Sequence, residues 1–215
     1  MFMVVPATIY TLSYIPFVGC NESPKGLIGR MLYNQNQMFS YHKDCIFEHP
    51  YSSIWFEWPF MFRTIWYYSG DVTETTAQGI SSFGNPLVWW FGIFAFFYIA
   101  YIAYKRRDKI AIFFTIAYLA QLLPWTLVER TTFIYHYFPC VPFVVLMNVY
   151  CFYLWVHKGG RKETPIKSRM RAVWIYTTAV VILFAMFYPV LSGATVDENY
   201  VYTFLRWFDG WVLIR

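Results

Sequence analysis

The chain has 215 residues, of which 58% are hydrophobic, 24% aromatic and only 13% charged. A soluble globular domain carries roughly a quarter of its residues as charges, so that class is excluded. The net charge of +5 raises a nucleic-acid binder, but its distribution points to membrane orientation instead, and no nucleic-acid partner is expected.

Five apolar blocks approach the roughly 20 residues that an α-helix needs to cross a bilayer. They are Met1–Cys20, Pro86–Tyr104, Ile110–Val128, Tyr135–Val156 and Val173–Leu191, and none contains Asp, Glu, Lys or Arg. The expected fold is all-α and integral to the membrane, with about five transmembrane helices plus interfacial helices. The first block opens at residue 1 without basic residues on its flank and without a signal-peptide cleavage pattern. That reads as the rear part of something longer.

After the first span, residues 21–85 form a long connection. Within it, Leu27, Ile28, Met31, Leu32, Met38 and Phe39 recur at helical spacing over residues 26–46. This predicts an amphipathic helix that either lies flat on the membrane surface or packs on other spans. The stretch "HPYSSIWFEWPFMFRTIWYY", residues 49 to 68, then places nine aromatics in twenty residues, interrupted by His49, Glu57 and Arg63. Trp and Tyr favour the headgroup layer, so an interfacial anchor is the plain reading. Pro59 suits a first helical turn and predicts a short helix over Pro59–Tyr68, with Phe62 and Trp66 on one face. Residues 70–85 read as a loop.

Lys105, Arg106, Arg107 and Lys109 separate the second and third blocks; Lys158, Arg161, Lys162, Lys167, Arg169 and Arg171 separate the fourth and fifth. These two segments contain only two acids, Asp108 and Glu163. The positive-inside rule makes both cytoplasmic. The amino terminus is then inside, the carboxyl terminus outside, and residues 21–85, the turn at 129–134 and a tail at 192–215 face outward. The resulting division is a transmembrane helix over 1–20, an extracytoplasmic loop with interfacial helices over 21–85, a four-helix transmembrane region over 86–191 and the tail. In the tail, Phe204, Phe208 and Trp211 fall at i, i+4, i+7 and predict another interfacial segment. Cys20 and Cys45 share the outer side and are read as free thiols over a disulfide, Cys140 and Cys151 as packed within a span, and no zinc-type spacing occurs.

The outer turn "VERTTFIYHYFPCVP", residues 128 to 142, joins Glu129 and Arg130 to His136 just inside the next span. Arginine grips phosphate with a planar fork and a permanent charge, and a helix N-terminus there favours an anion. The plain alternatives are a topological charge pair and a histidine satisfied by a carbonyl.

These two stretches, with "NQNQMFSYHKD" before the first, resemble the C-terminal region of the protein O-mannosyltransferase family, bacterial type. The resemblance runs from about Asn21 to the end and implies a GT-C membrane glycosyltransferase. Such an enzyme transfers mannose from polyprenyl-phosphate-mannose to Ser or Thr hydroxyls of proteins, with inversion, at the extracytoplasmic face. It implies a bacterial plasma membrane, because the loop over 21–85 has no room for the β-trefoil of eukaryotic members. It also implies that the acidic catalytic residue lies in an N-terminal part absent from this chain. The donor phosphate then falls to Arg130 first and Arg63 second, supported by Glu129, His136, His49 and Glu57. The lipid-linked donor, a Ser/Thr-containing acceptor protein, membrane lipids and the N-terminal part are the implied partners, and no divalent metal is implied. The alternative is a non-catalytic membrane subunit or fragment of the same fold. A small transporter is disfavoured, since no charge lies deep in a span and no inverted repeat is visible.

Overall fold

The computed structural model describes residues 3–19, 26–44, 47–70, 73–157 and 165–214. Cys20 and Cys45 lie outside them. The chain divides into two compact units, one of residues 1–47 with 129–131, the other of 48–128 with 132–215.

The smaller unit holds α1 (Val4–Leu12), a following 3-10 turn (Ile15–Phe17) and α2 (Leu27–Asp44). The apolar stretch Val4–Phe17 is shorter than a bilayer span. The continuous helix expected over residues 1–20 is therefore replaced by a shorter one that tightens at Ser13 and Tyr14, where Pro16 follows. The predicted amphipathic helix is present as α2, and it packs on α1. Thr11 donates to Met31 Sδ at 3.7 Å, and Gln35 bonds the Tyr10 hydroxyl. Ile28, Leu32 and Phe39 remain exposed on α2. Phe47 closes this unit, donating its N–H to Thr131 Oγ1 at 3.1 Å.

The larger unit contains four spanning helical segments, Pro86–Arg106, Lys109–Leu127, Ile134–His157 and Ile166–Ser192. Their regular α portions are α3 (Pro86–Arg106), α4 (Lys109–Leu122), α5 (Val141–His157) and α6 (Ile166–Ser192). The sequence explains their ends. Asn85 caps α3 by accepting the Leu87 N–H at 3.2 Å, with Pro86 in the first turn. Arg107 turns left-handed (φ 52°) and Asp108 caps α4, accepting N–H groups from Ile110 and Ala111. Asp108 also accepts the Tyr150 hydroxyl at 2.8 Å, so the acid among the basic residues has a structural task. Prolines 124 and 139, which lack an N–H donor, fall in 3-10 segments, Leu123–Leu127 and Ile134–Cys140. Helix α6 begins at Ile166, so Lys167, Arg169 and Arg171 ride on a helix that extends past the apolar block. Arg169, buried, donates to the Trp155 carbonyl at 2.9 Å and caps the end of α5.

Helices α3 and α5 approach closely where Gly92 meets Val144. A Cβ at 92 would stand 2.3 Å from Val144 Cγ1. Beside it Asn148, buried, donates to the Val88 carbonyl at 2.8 Å. Small residues and side-chain amides join helices in just this way inside membranes, where no hydrophobic force separates protein from lipid.

At the end of the bundle away from the basic turns sits a layer that differs from expectation. The segment Pro59–Tyr68 is not a helix. A 3-10 turn at Trp58–Phe60 ends with Met61 in the left-handed region (φ 55°), and the chain extends into β1 (Ile65–Ser69). The expected loop at 70–85 contains β2 (Thr76–Ala77) and β3 (Gly79–Ser82). Antiparallel pairing joins β1 to β3, with a bulge between Trp66 and Tyr68, and β2 to β4 (Val196–Asp197). The tail is not one continuous helix. After α7 (Glu198–Tyr200) and a single π turn, it extends and buries Trp211, Leu213 and Ile214. Val212 exchanges hydrogen bonds with the Thr64 side chain. Backbone donors need partners wherever water is scarce, and these short ladders supply them.

Candidate functional site

The 58–61 turn is fixed by three indoles. Trp89 donates to the Trp58 carbonyl at 2.9 Å, Trp90 to that of Phe60 at 3.1 Å and Trp211 to that of Met61 at 2.6 Å. The Trp58 indole itself donates to Ser53. Trp58, Met61 and Trp211 are at most 1% exposed. The aromatic stretch is thus half anchor and half core: Phe56, Phe60, Phe62, Tyr67 and Tyr68 stay exposed.

The two unusual stretches meet here. Ser53 donates its N–H to the Thr132 carbonyl at 2.9 Å, and the Thr132 hydroxyl donates back to Ser53 O at 2.8 Å. The His49 ring lies edge-on to Phe133 at 5.1 Å. The Phe133 N–H is 3.1 Å from His136 Nδ1. His136 is half-buried among Trp58 (6.0 Å, stacked), Trp125 (4.4 Å) and Tyr135 (4.3 Å). Arg63, exposed, reaches back with Nη1 to the carbonyls of Pro50 and Ser52, each at 3.4 Å.

Four of the six candidates, His49, Glu57, Arg63 and His136, therefore fall in the larger unit, the first two flanking one loop and the others reaching it or its partner segment. Glu57 turns its carboxylate onto the Ile54 N–H at 3.1 Å and closes its own loop. Glu129, exposed, and Arg130, half-buried, belong to the smaller unit, where neighbouring Thr131 is bonded to Phe47. The span following Arg130 opens as a 3-10 segment, and its Phe133 N–H is occupied by His136, so the helix N-terminus expected to receive an anion is not a regular α terminus. Although the Tyr67 side chain as a whole is exposed, partial desolvation pushes its phenol up, against a Ser82 hydrogen bond that draws it down. The residues that sequence reasoning missed are Ser53, Trp125, Thr132 and Phe133. Ser53 falls in the 49–68 stretch and Thr132 and Phe133 in the 128–142 stretch, but nothing local marked Ser53 as the partner of Thr132.

A bundle of four spans, capped at one end by an aromatic layer holding histidines and an arginine, defines an integral membrane protein. The chain belongs to the protein O-mannosyltransferase family: residues 27–211 match its C-terminal four-transmembrane region. It is 29% identical over 170 residues to a polyprenol-phosphate-mannose–protein mannosyltransferase of Corynebacterium glutamicum, covering 76% of this chain and 32% of that protein. It is 28% identical over 211 residues to protein O-mannosyltransferase 1 of Drosophila pseudoobscura pseudoobscura, covering 86% of this chain and 22% of that protein. The chain thus spans about a third or less of these relatives. Its fold matches a chain of the Saccharomyces cerevisiae Pmt1–Pmt2 protein O-mannosyltransferase complex bound to the sugar donor, with TM-score 0.70 and 22% identity, over 88% of this chain and 27% of that one.

Proposed function

We propose that this chain is the C-terminal portion of a membrane glycosyltransferase that moves mannose from polyprenyl-phosphate-mannose to Ser or Thr hydroxyls of proteins at the extracytoplasmic face of a bacterial plasma membrane. The match to the family's C-terminal region over residues 27–211 carries this reading. In the reaction the acceptor oxygen bonds to the mannose C1 and its proton passes to a base. The C1–oxygen bond to the lipid phosphate breaks, and the phosphate keeps the electron pair. A departing phosphate needs positive charge held in place. Arg130 is assigned first to that phosphate and Arg63 second. His136 and His49 orient the reacting groups beside an aromatic wall, while Glu129 and Glu57 support the segments that carry them. The base is assigned to the N-terminal part that the relatives' greater length supplies.

A second reading, a non-catalytic fragment of the same fold, is favoured by the chain's 32% and 22% shares of its relatives. One assay separates the two. Given polyprenyl-phosphate-mannose and a Ser/Thr peptide in detergent, the 215 residues alone are expected to leave the peptide unmodified. Joined to its N-terminal part, the same chain is expected to mannosylate it. An inactive assembled protein that still binds the donor supports the fragment reading and contradicts the enzyme.

A further inference from the structure

Between α5 and α6 the bundle leaves a crevice of about 360 Å³, within the roughly 300–1,000 Å³ of ordinary ligand clefts. Its walls include Val149, Phe152 and Val156 from α5 and Met170, Val173 and Thr177 from α6. Hydrogen bonds hold α6 in place without closing it: Arg169 to Trp155 at one end, Asn85 to the Val180 carbonyl at 2.9 Å at the other. An apolar void between spans forfeits dispersion contacts on every wall, and in a bilayer the group at hand to restore them is a hydrocarbon chain.

The charges at one end select the lipid. His157 lines the crevice where α5 ends. Lys167, exposed, precedes Met170 by three residues on the same face of α6. Among the described residues no acidic side chain lines the crevice. This end lies at the opposite end of the Ile134–His157 span from His136, hence away from the cluster assigned to the donor.

We propose that the α5–α6 crevice binds an acyl chain of an anionic phospholipid from the leaflet at the basic end, with its phosphate against Lys167, beside His157. Basic pockets between spans recognise acidic headgroups in this manner.

The test is native mass spectrometry of the chain released from bilayers containing phosphatidylglycerol and phosphatidylcholine. The parent is expected to retain phosphatidylglycerol preferentially. Lys167→Gln is expected to lower that preference about fivefold, the worth of one basic residue near an anionic surface. Val149→Trp fills the crevice from α5, where Val149 is 60% exposed, and is expected to abolish retention. Thr177→Phe does the same from α6 if the first variant misfolds. Equal retention of the two lipids overturns the proposal, as does undiminished preference in the charge variant or unchanged retention in the filled one. Displacement of phosphatidylglycerol by equimolar polyprenyl phosphate overturns it in favour of a donor-tail site.

Discussion

Trp89, Trp90 and Trp211 show what the aromatic richness of this chain accomplishes residue by residue. Each fills volume and also lends one N–H to a carbonyl of the 58–61 turn, and an unmet buried carbonyl costs about 1–3 kcal/mol. The turn sits beside His136, so its rigidity sets the ring's surroundings. Arg130 is assigned a different task, the donor phosphate, and here the residue type is itself the test. In the assembled enzyme, Arg130→Lys keeps the charge but loses the planar fork. If the contact strengthens in the transition state, turnover falls ~100-fold or more. Abundance of Arg130→Lys in the membrane stays unchanged, since the swap keeps the charge at this half-buried position. Steady-state rates of Arg130→Lys and Arg130→Ala at matched protein levels decide this. Parent-like rates for both assign the phosphate elsewhere, with Arg63 next in order.

At the scale of elements, the four long spans were legible because uncharged runs of spanning length have no other environment. The caps at Asn85 and Asp108 emerge only in the structure. Short elements were not legible. "RTIWYYS" combines β-branched and aromatic residues, which suit strands, yet Pro59 and the Phe62–Trp66 spacing favoured a helix. The deciding partner, β3, pairs with positions 10 to 17 residues away, in a segment rich in Gly and Ser. Phe204, Phe208 and Trp211 had helical spacing, but Trp211 is placed by Met61, 150 residues earlier. The Ser53–Thr132 clasp is likewise non-local. For the spans, the close approach at Gly92 makes a specific forecast. Gly92→Leu must displace Val144, whose branched side chain has few alternative rotamers. Overpacking of this kind costs about 1–3 kcal/mol, so the thermal midpoint in detergent is expected to drop by several degrees. An unchanged midpoint shows that α3 and α5 do not meet there.

Over the whole molecule, the ends of the four-span bundle differ in kind: basic helix termini and turns at one, an aromatic layer with histidines and arginine at the other. Orientation gives that asymmetry its meaning, because under the proposed function a lipid-linked sugar and a protein acceptor meet on one face. Ser168 lies near the basic end of α6 and Thr195 just beyond the other end, both exposed. With the four native cysteines replaced by alanine, an impermeant thiol reagent outside sealed cells is expected to label Thr195→Cys and spare Ser168→Cys. The opposite pattern inverts the topology. The most direct measurement is transfer itself, made on the assembled enzyme with labelled polyprenyl-phosphate-mannose, a Ser/Thr peptide and the same peptide with alanine at every hydroxyl position. The account predicts label on the first peptide alone. No label on either, from protein that is folded and binds the donor, contradicts it.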